Sequence, residues 1–324
     1  MSSNDSAIAH DAPVISPRGL GWGLVGVTAF SFTVPLTRVA VAGLDPFVVG
    51  CGRAVVAALL AVIALAVGRA RLPIAREWPR LALVAAGVVV GFPVLTSLAM
   101  RDTGSPHAAV VIGLLPAATA VGAVLLARER PSSRFWCGAV IGAVVTVGFV
   151  LLVAGSPSGV SVSDLYLLGA VVLAALGYAQ GGVLARTLGS WQTISWALVL
   201  ASPVMAAVTG IRLDGSLPHA TGGQWAAFGY LCAVSMFLGF FAWYRGLAIG
   251  PLSTVGQVQL VQPVLTVAWS VLFFGETIGA MVIMGGVAVV ATTAFTVRSR
   301  VGTRASRPSR PLPDAQVGSP ARPR

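Results

Sequence analysis

Arg53 is the residue of this sequence whose position most suggests chemistry. It lies inside a long apolar stretch, seven residues after Pro46, and no Asp or Glu occurs within any such stretch to neutralise it. A charged side chain at the centre of a membrane costs about 2.5–3.5 kcal/mol. Either the guanidinium faces an internal cavity and pairs with the anionic group of a bound molecule, or it reaches the outer headgroups or braces neighbouring helices through their carbonyl oxygens.

Amides and aromatic rings within or at the ends of other apolar stretches form a second group of candidates. An amide facing lipid is costly, so these groups should face other helices or water. The residues that we predict to line a cavity together with Arg53 are Trp22, Phe32, Tyr178, Gln180, Tyr244, Gln257, Gln259 and Gln262. The alternatives are interfacial anchoring for Trp22 and Tyr244, and hydrogen bonds between helices for the glutamines.

A Pro–Glu–Gly pattern occurs twice. Its members are Pro116, Glu129 and Gly138 in one place and Pro263, Glu276 and Gly285 in the other. In both places the Glu follows the Pro by thirteen residues and the Gly follows the Glu by nine. Matched landmarks at a fixed spacing indicate an internal repeat.

These landmarks have predicted structural roles. Each proline removes a helix hydrogen bond and should kink its helix. Glu129 and Glu276 should accept hydrogen bonds from the free N–H groups that start the fifth and tenth helices. The alternative for the two Glu is a site whose protonation drives the movement of a solute.

The composition excludes several classes of protein. Hydrophobic residues make up 56% of the 324 residues and charged residues 10%, against about 25% charged residues in a soluble globular protein. All 21 basic residues are Arg, and without Lys there is no P-loop and no Schiff-base chemistry. Three Cys without a CxxC pair and three distant His predict no cofactor and no metal site. We expect a lipid bilayer and no nucleic acid as partner, and leave open whether the chain is a monomer or a homodimer.

Ten apolar stretches separate the charged residues. They are roughly 19–41, 46–68, 81–100, 107–127, 135–153, 165–185, 193–211, 224–244, 254–274 and 277–297. Each has the length of about 20 residues that crosses a ~30 Å hydrocarbon core. Only a helix satisfies all its backbone groups within such a segment, so we predict ten transmembrane helices.

The arginines orient these helices. If the N-terminus is cytoplasmic, 17 of the 21 Arg fall in cytoplasmic segments, two fall outside and two lie within spans. Excess positive charge in cytoplasmic loops sets orientation, so both termini are predicted to be cytoplasmic. Residues 1–18 form an N-terminal tail, and the Arg- and Pro-rich residues 298–324 should be a disordered basic tail.

The repeated pattern divides the chain into two five-helix halves, 19–153 and 165–297. Because five is odd, the second half enters the membrane from the opposite side. Inverted repeats of this kind are common in transporters, which hold a substrate near the midplane between the repeats. The predicted fold is therefore an all-α integral membrane protein with ten transmembrane helices in two inverted five-helix repeats.

The sequence resembles the EamA-type family of the drug/metabolite transporter superfamily. The doubled Pro–Glu–Gly pattern, the Trp22-Gly23 start of the first stretch and the position of Arg53 carry the resemblance, which covers nearly everything between the tails. The second half departs in lacking an Arg equivalent to Arg53. The resemblance implies carriage of small metabolites or drug-like solutes, commonly export from the cytoplasm, without naming the solute.

A secondary transporter that works by alternating access fits these observations best. An integral membrane enzyme would need general acids, bases or metal ligands, and the ten acids lie at loops, ends or tails. A channel agrees less well with kinked helices in an inverted repeat.

Proton antiport, solute exchange and facilitated diffusion stay open as means of coupling. The Arg-only, Ala-, Val- and Gly-rich composition is typical of a GC-rich bacterial genome and predicts the inner or plasma membrane.

Overall fold

The structure is a computed structural model. It describes residues 16–102, 108, 111–154, 162–213, 219–274, 279–298 and 301–303. Most of the tail 1–18, most of the tail 298–324 and the landmark Glu276 lie outside the described residues.

Ten helical stretches account for nearly all of these described residues. They are α1 (Pro17–Val41), α2 (Val48–Val67), α3 (Trp78–Asp102), α4 (Leu115–Ala127), α5 (Ser133–Ala154), α6 (Val162–Leu188), α7 (Ser190–Leu213), α8 (Gly222–Ile249), α9 (252–274) and α10 (Ala280–Val297). Two short strands, β1 (Glu129–Pro131) and β2 (Val301–Thr303), pair antiparallel with Glu129 opposite Thr303. The predicted disordered tail thus begins, after α10, with a strand, because β1 offers it an unpaired edge.

Six of the helices are long and apolar enough to cross a membrane. These are α1, α2, α3, α6, α7 and α8, with lengths from 20 to 28 residues. Shorter apolar helices occupy Leu115–Ala127, Ser133–Phe149 and Ile283–Val297. The chain is therefore a mostly helical, multi-pass membrane protein, and six of the ten predicted spans meet the criteria of length and apolarity within the described residues.

The outer faces of the helices suit a lipid environment. Large apolar side chains such as Leu59, Ile63, Val144 and Val204 are each about 60% exposed or more. Exposed apolar surface on this scale marks an interaction with a membrane or another protein. The core between the helices is formed largely by small residues, alanines above all, and by buried aromatic rings.

Helix α1 is interrupted in its middle, where Phe32 separates the segments Pro17–Ser31 and Thr33–Val41. The cause lies one turn further along the chain. Pro35 has no N–H to donate to the Ser31 carbonyl oxygen, and a proline ring clashes with the carbonyl four residues before it. The interruption therefore leaves polar backbone atoms in the middle of an apolar helix.

Three other helices contain π-helical segments, in which the backbone is locally wider than an α-helix. These are Val48–Gly52 in α2, Ala85–Gly91 in α3 and Leu231–Leu238 in α8. Pro46 precedes the first and Pro93 follows the second, so proline accounts for the distortion in two of the three. In α9 the segment Gln257–Val261 is a 3₁₀-helix.

Outside the spans, the loop between α2 and α3 is organised by Glu77. Its carboxylate accepts hydrogen bonds from Arg71 at 2.8 and 3.0 Å and from the Ile74 N–H at 2.9 Å. The hydrogen bond from Arg71 lowers the pKa of Glu77, and the Ile74 N–H acts in the same direction. The stabilisation of this loop is therefore present at neutral pH and is lost as the pH falls through the lowered pKa.

Glycines let two helix pairs approach closely. A Cβ on Gly246 of α8 would lie 2.7 Å from the Gly23 nitrogen and 2.8 Å from the Gly19 carbonyl oxygen, both in α1. A Cβ on Gly138 of α5 would lie 2.5 Å from the Thr296 hydroxyl of α10. Small residues at such interfaces are typical of membrane helices. Gly285, the repeat counterpart of Gly138, is half-buried in α10.

We predict that Gly246→Ala destabilises the protein, because the new methyl group meets backbone atoms that cannot move aside. Overpacking of this kind costs about 1–3 kcal/mol. The measurement is thermal unfolding in detergent, followed by circular dichroism. The matched control is Gly21→Ala in α1, where a Cβ meets nothing within 4 Å and the gain in helix propensity is the same. Equal melting temperatures for the two variants would contradict the close α1–α8 contact.

Candidate functional site

A narrow cavity lies between the two halves of the chain. Its lining residues are Phe30, Thr33, Val34, Arg53, Val88, Phe92, Pro93, Ile112 and Leu115 from the first half and Tyr178, Ser235, Met236, Phe240 and Gln262 from the second. About 30 Å³ is left for the centres of water molecules, which is room for about two waters. A solute larger than water therefore requires the lining helices to separate.

Arg53 is the charged residue of this lining. Its side chain is 1% exposed, and its Nε and NH2 atoms have no hydrogen-bond partner among the described residues. The guanidinium therefore does not reach the headgroups, and it does not brace a neighbouring helix through those two atoms. Cys51 and Cys232 are free, buried cysteines. A buried, unpartnered guanidinium at a cavity wall is a ready binding group for an anion.

All three π-helical segments border the cavity. Arg53 directly follows the segment in α2, Val88 belongs to the one in α3, and Ser235 and Met236 belong to the one in α8. Such segments occur frequently at functional sites. Here the wider backbone turns place residues of three different helices around one space.

The interruption of α1 at Phe32 lies beside the cavity and is held by the second half of the chain. The Ala29 carbonyl accepts from the Tyr230 hydroxyl at 3.0 Å, and the Phe30 carbonyl accepts from Gln262 Nε2 at 3.3 Å. The Ser31 carbonyl, which Pro35 leaves without its helical donor, accepts from the Thr266 hydroxyl at 2.8 Å. The Thr266 hydroxyl of α9 therefore replaces the helical hydrogen bond that Pro35 removes, and Tyr230 and Gln262 bind the two carbonyls before it.

Of the predicted cavity residues, Arg53, Tyr178 and Gln262 belong to this lining and the others do not. Trp22 is 46% exposed on the outer face of α1, which agrees with the alternative of interfacial anchoring. Phe32 stacks on Trp269, with ring centroids 5.1 Å apart.

The remaining predicted residues are buried between helices. The Tyr244 hydroxyl donates to the Gly177 carbonyl at 3.2 Å, and Gln257 Nε2 donates to the Pro116 carbonyl at 3.1 Å. Gln180 and Gln259 are buried outside the lining. For Tyr244 and Gln257 a contact between helices therefore replaces the predicted place in the cavity wall.

Two hydroxyl residues of the cavity are absent from the sequence-based prediction. Thr33 of α1 and Ser235 of α8 both line the cavity, and their hydroxyl oxygens are 2.8 Å apart. Ser and Thr give no clear signal in a sequence, because within a helix their hydroxyl can bond the carbonyl four residues earlier at little cost. A buried amide or charged group is not satisfied in this way and therefore gives a clearer signal in the sequence.

Glu129 has a different partner from the one predicted. It caps the start of α9 in the other half of the chain, not the start of α5 in its own half. Its carboxylate is 2% exposed and accepts from the Leu252 N–H at 2.6 Å and from the Ser253 N–H at 2.9 Å. The Ser253 hydroxyl donates to it as well, at 2.6 Å, and Arg186 NH2 lies 3.9 Å away. The sequence could not show this pairing, since the partners are 123 and 124 residues apart.

The repeated prolines lie where one helical segment gives way to the next. Pro116 stands in the first turn of α4, after a turn at residues 113–114, and Pro263 is the second residue of the α-helical segment that follows the 3₁₀ segment of α9. At the first turn of a helix a proline removes no hydrogen bond that would otherwise form. The two prolines therefore start helical segments after a break.

Helix ends from both halves meet at each end of the bundle. At the end that contains Glu129, Arg186 at the end of α6 donates to the Gly250 carbonyl after α8 at 3.2 Å. At the opposite end, the Arg212 guanidinium of α7 lies 4.3 Å from the centre of the Phe47 ring. The Arg212–Phe47 contact joins the two halves at its end, and the hydrogen bonds of Leu252 and Ser253 to Glu129 join them at the other. Among the described residues there is no group of three or more His, Cys, Asp or Glu that could hold a metal ion.

The model of the EamA-like transporter family matches the chain twice, over residues 17–152 and 161–298. The chain belongs to the EamA-like transporter family. It is therefore a membrane transporter. The doubled match gives one EamA unit on each side of the cavity, so the lining residues come from both units.

Two relatives agree with this family. The chain is 40% identical over 284 residues to the protein named uncharacterized transporter YdeK of Bacillus subtilis (strain 168), a match that covers 85% of this chain and 96% of YdeK. A solved crystal structure has a TM-score of 0.70 at 18% identity, covering 86% of this chain and 95% of its own. At that identity the crystal structure supports the fold alone.

We predict that Glu129→Ala lowers the free energy of unfolding by about 1–3 kcal/mol, because the buried N–H groups of Leu252 and Ser253 lose their acceptor. Glu129→Gln keeps one acceptor oxygen and should lose less. Thermal unfolding in detergent measures both. The control is Asp102→Ala, which removes an exposed carboxylate. A Glu129→Ala variant that melts like the wild type would refute the capping role.

Proposed function

We propose that this EamA-family protein is a secondary transporter that exports a small organic solute by alternating access, with the solute held in the cavity between the two halves. The observation that carries the proposal is the cavity itself, since both halves line it and a buried guanidinium in its wall has unpartnered donors. A site between two repeats is the arrangement that alternating-access transporters use.

The small volume of the cavity supports a carrier rather than a channel. Among the described residues the space is narrow, with room for about two waters, which agrees better with a carrier than with a wide pore. The contacts between the halves are hydrogen bonds and an ion pair of Glu129 at one end and a cation–π contact of Arg212 at the other. Such contacts are individually worth about 0.5–3 kcal/mol, so one end can open while the other stays closed.

The helix ends agree with ten crossings and inverted halves. The starts of α1 and α9 and the ends of α4, α6 and α8 are in contact at the Glu129 end. The ends of α1 and α7 contact the starts of α8 and α2 at the other end. Threading ten spans from a cytoplasmic N-terminus places the first group in the cytoplasm and the second outside.

The alternative of an integral membrane enzyme lacks a catalytic group at this site. The described residues of the lining include no Asp, Glu, His, Lys or Cys, and general acid–base or metal-assisted catalysis uses those side chains. We therefore expect flux of unchanged solute and no product.

The test is counterflow in vesicles reconstituted with the purified protein. Vesicles are loaded in turn with an unlabelled anionic, zwitterionic, cationic or neutral organic solute, and entry of the same solute in labelled form is measured. A carrier gives transient, saturable accumulation of at least one solute. Ion conductance without saturation would favour a channel, and chemical conversion without accumulation would favour an enzyme.

The predicted orientation is tested by reporter fusions in a bacterial host. A phosphatase that is active only outside the cytoplasm should be active when fused after Gly155 and inactive when fused after Pro131, because these positions follow odd and even spans. A fluorescent protein that folds in the cytoplasm is the matched control and should give the reverse pattern. Activity of the phosphatase at Pro131 would overturn the topology.

A further inference from the structure

We infer that the cavity selects a monocarboxylate with an apolar or aromatic body and discriminates against the zwitterionic amino acid of the same skeleton. This inference rests on the proposed function, because it names the class of solute held at the same site. Its grounds are the charge of Arg53, the character of the remaining lining and the lack of a negative group in that lining.

The charge of Arg53 requires an anion. Its guanidinium is almost fully buried, its Nε and NH2 donate to none of the described residues, and no described Asp or Glu lies within salt-bridge distance of it. A buried charge without a partner costs several kcal/mol. The planar fork of donors on Arg matches the two oxygens of a carboxylate, so a bound carboxylate supplies the missing acceptors.

The rest of the lining is apolar and rich in aromatic rings. Phe30 and Phe240 have ring centroids 5.0 Å apart, and Tyr178 lies 6.0 Å from Phe240. Phe92 and Met236 add further apolar surface. These groups offer stacking and burial to a hydrophobic body and no charged contact beyond the guanidinium.

An ammonium group finds no charged partner in this site. The Thr33 and Ser235 hydroxyls, which bond each other, and the Gln262 amide, which donates to the Phe30 carbonyl, are neutral groups and carry no negative charge to balance an ammonium. In a zwitterion the ammonium would stand close to its own carboxylate and hence close to the Arg53 guanidinium, which repels it in a medium of low dielectric constant. A carboxylate without an ammonium avoids both the burial of an ammonium without a charged partner and its repulsion by the Arg53 guanidinium.

The experiment compares four compounds that share a phenylethyl group. Hydrocinnamate is a monoanion, phenylalanine a zwitterion, phenethylamine a cation and hydrocinnamamide neutral. Binding to the purified protein in detergent is measured by isothermal titration calorimetry at neutral pH, separately from flux. We expect hydrocinnamate to bind at least about tenfold more tightly than phenylalanine, a ratio that corresponds to about 1.4 kcal/mol, and phenethylamine not to bind.

Variants of Arg53 then test whether this residue causes the preference for hydrocinnamate. Arg53→Gln should abolish the preference of hydrocinnamate over hydrocinnamamide, and Arg53→Lys should keep part of it. The matched control is Arg245→Gln, which removes an exposed guanidinium outside the lining and should leave the ratio unchanged. If Arg53→Gln does not fold, the four compounds measured on the wild type still test whether the site prefers a monocarboxylate to a zwitterion.

The outcomes separate this inference from the proposed function. Phenylalanine binding as tightly as hydrocinnamate, or no binding by hydrocinnamate while another solute shows counterflow, overturns the selectivity and leaves the carrier. Binding of hydrocinnamate through Arg53 without counterflow of any solute upholds the site and overturns the carrier.

Discussion

A backbone carbonyl or N–H group within hydrocarbon must find its partner inside the protein, and this constraint accounts for how the two halves are joined. The break in α1 exposes carbonyl oxygens that the first half cannot satisfy, and side chains of α8 and α9 supply the donors. The start of α9 has free N–H groups, and these donate hydrogen bonds to the carboxylate of Glu129, which belongs to the first half. Each half therefore completes the broken helices of the other.

The hydrogen bonds between the two halves hold together the helices that surround the cavity. Broken and widened helical segments allow residues of several helices to face one space, and Arg53 stands directly after one of them. The hydrogen bonds that hold the segments across the halves are individually modest, about 0.5–1.5 kcal/mol each. The same bonds that give the protein one packed arrangement are thus weak enough to be exchanged when the halves move.

Strong, local signals in the sequence were enough to predict the helices and the buried charge. Apolar stretches bounded by charge indicated helices, and Arg53 without a nearby acid indicated either a guanidinium at a cavity wall or one that reaches the headgroups or braces neighbouring helices. The partner of Glu129 could not be predicted, because a short helix with free N–H groups in the other half became its neighbour only through tertiary packing.

Trp22 was misassigned because an aromatic ring suits a headgroup region as well as a cavity. Thr33 and Ser235 were missed because burying a hydroxyl in a helix costs little free energy. The π-helical segment in α8 has no nearby proline and therefore gives no recognisable sequence pattern.

The short ribbon of β1 and β2 gives the end of the chain an influence on the middle of the molecule. Glu129 is at once the cap of α9 and the strand residue that pairs with Thr303. Thr303 is therefore paired with the residue whose carboxylate links the first half to the start of α9. A substitution that breaks the ribbon at Val301–Thr303 would thus act on a strand that contains the cap of α9.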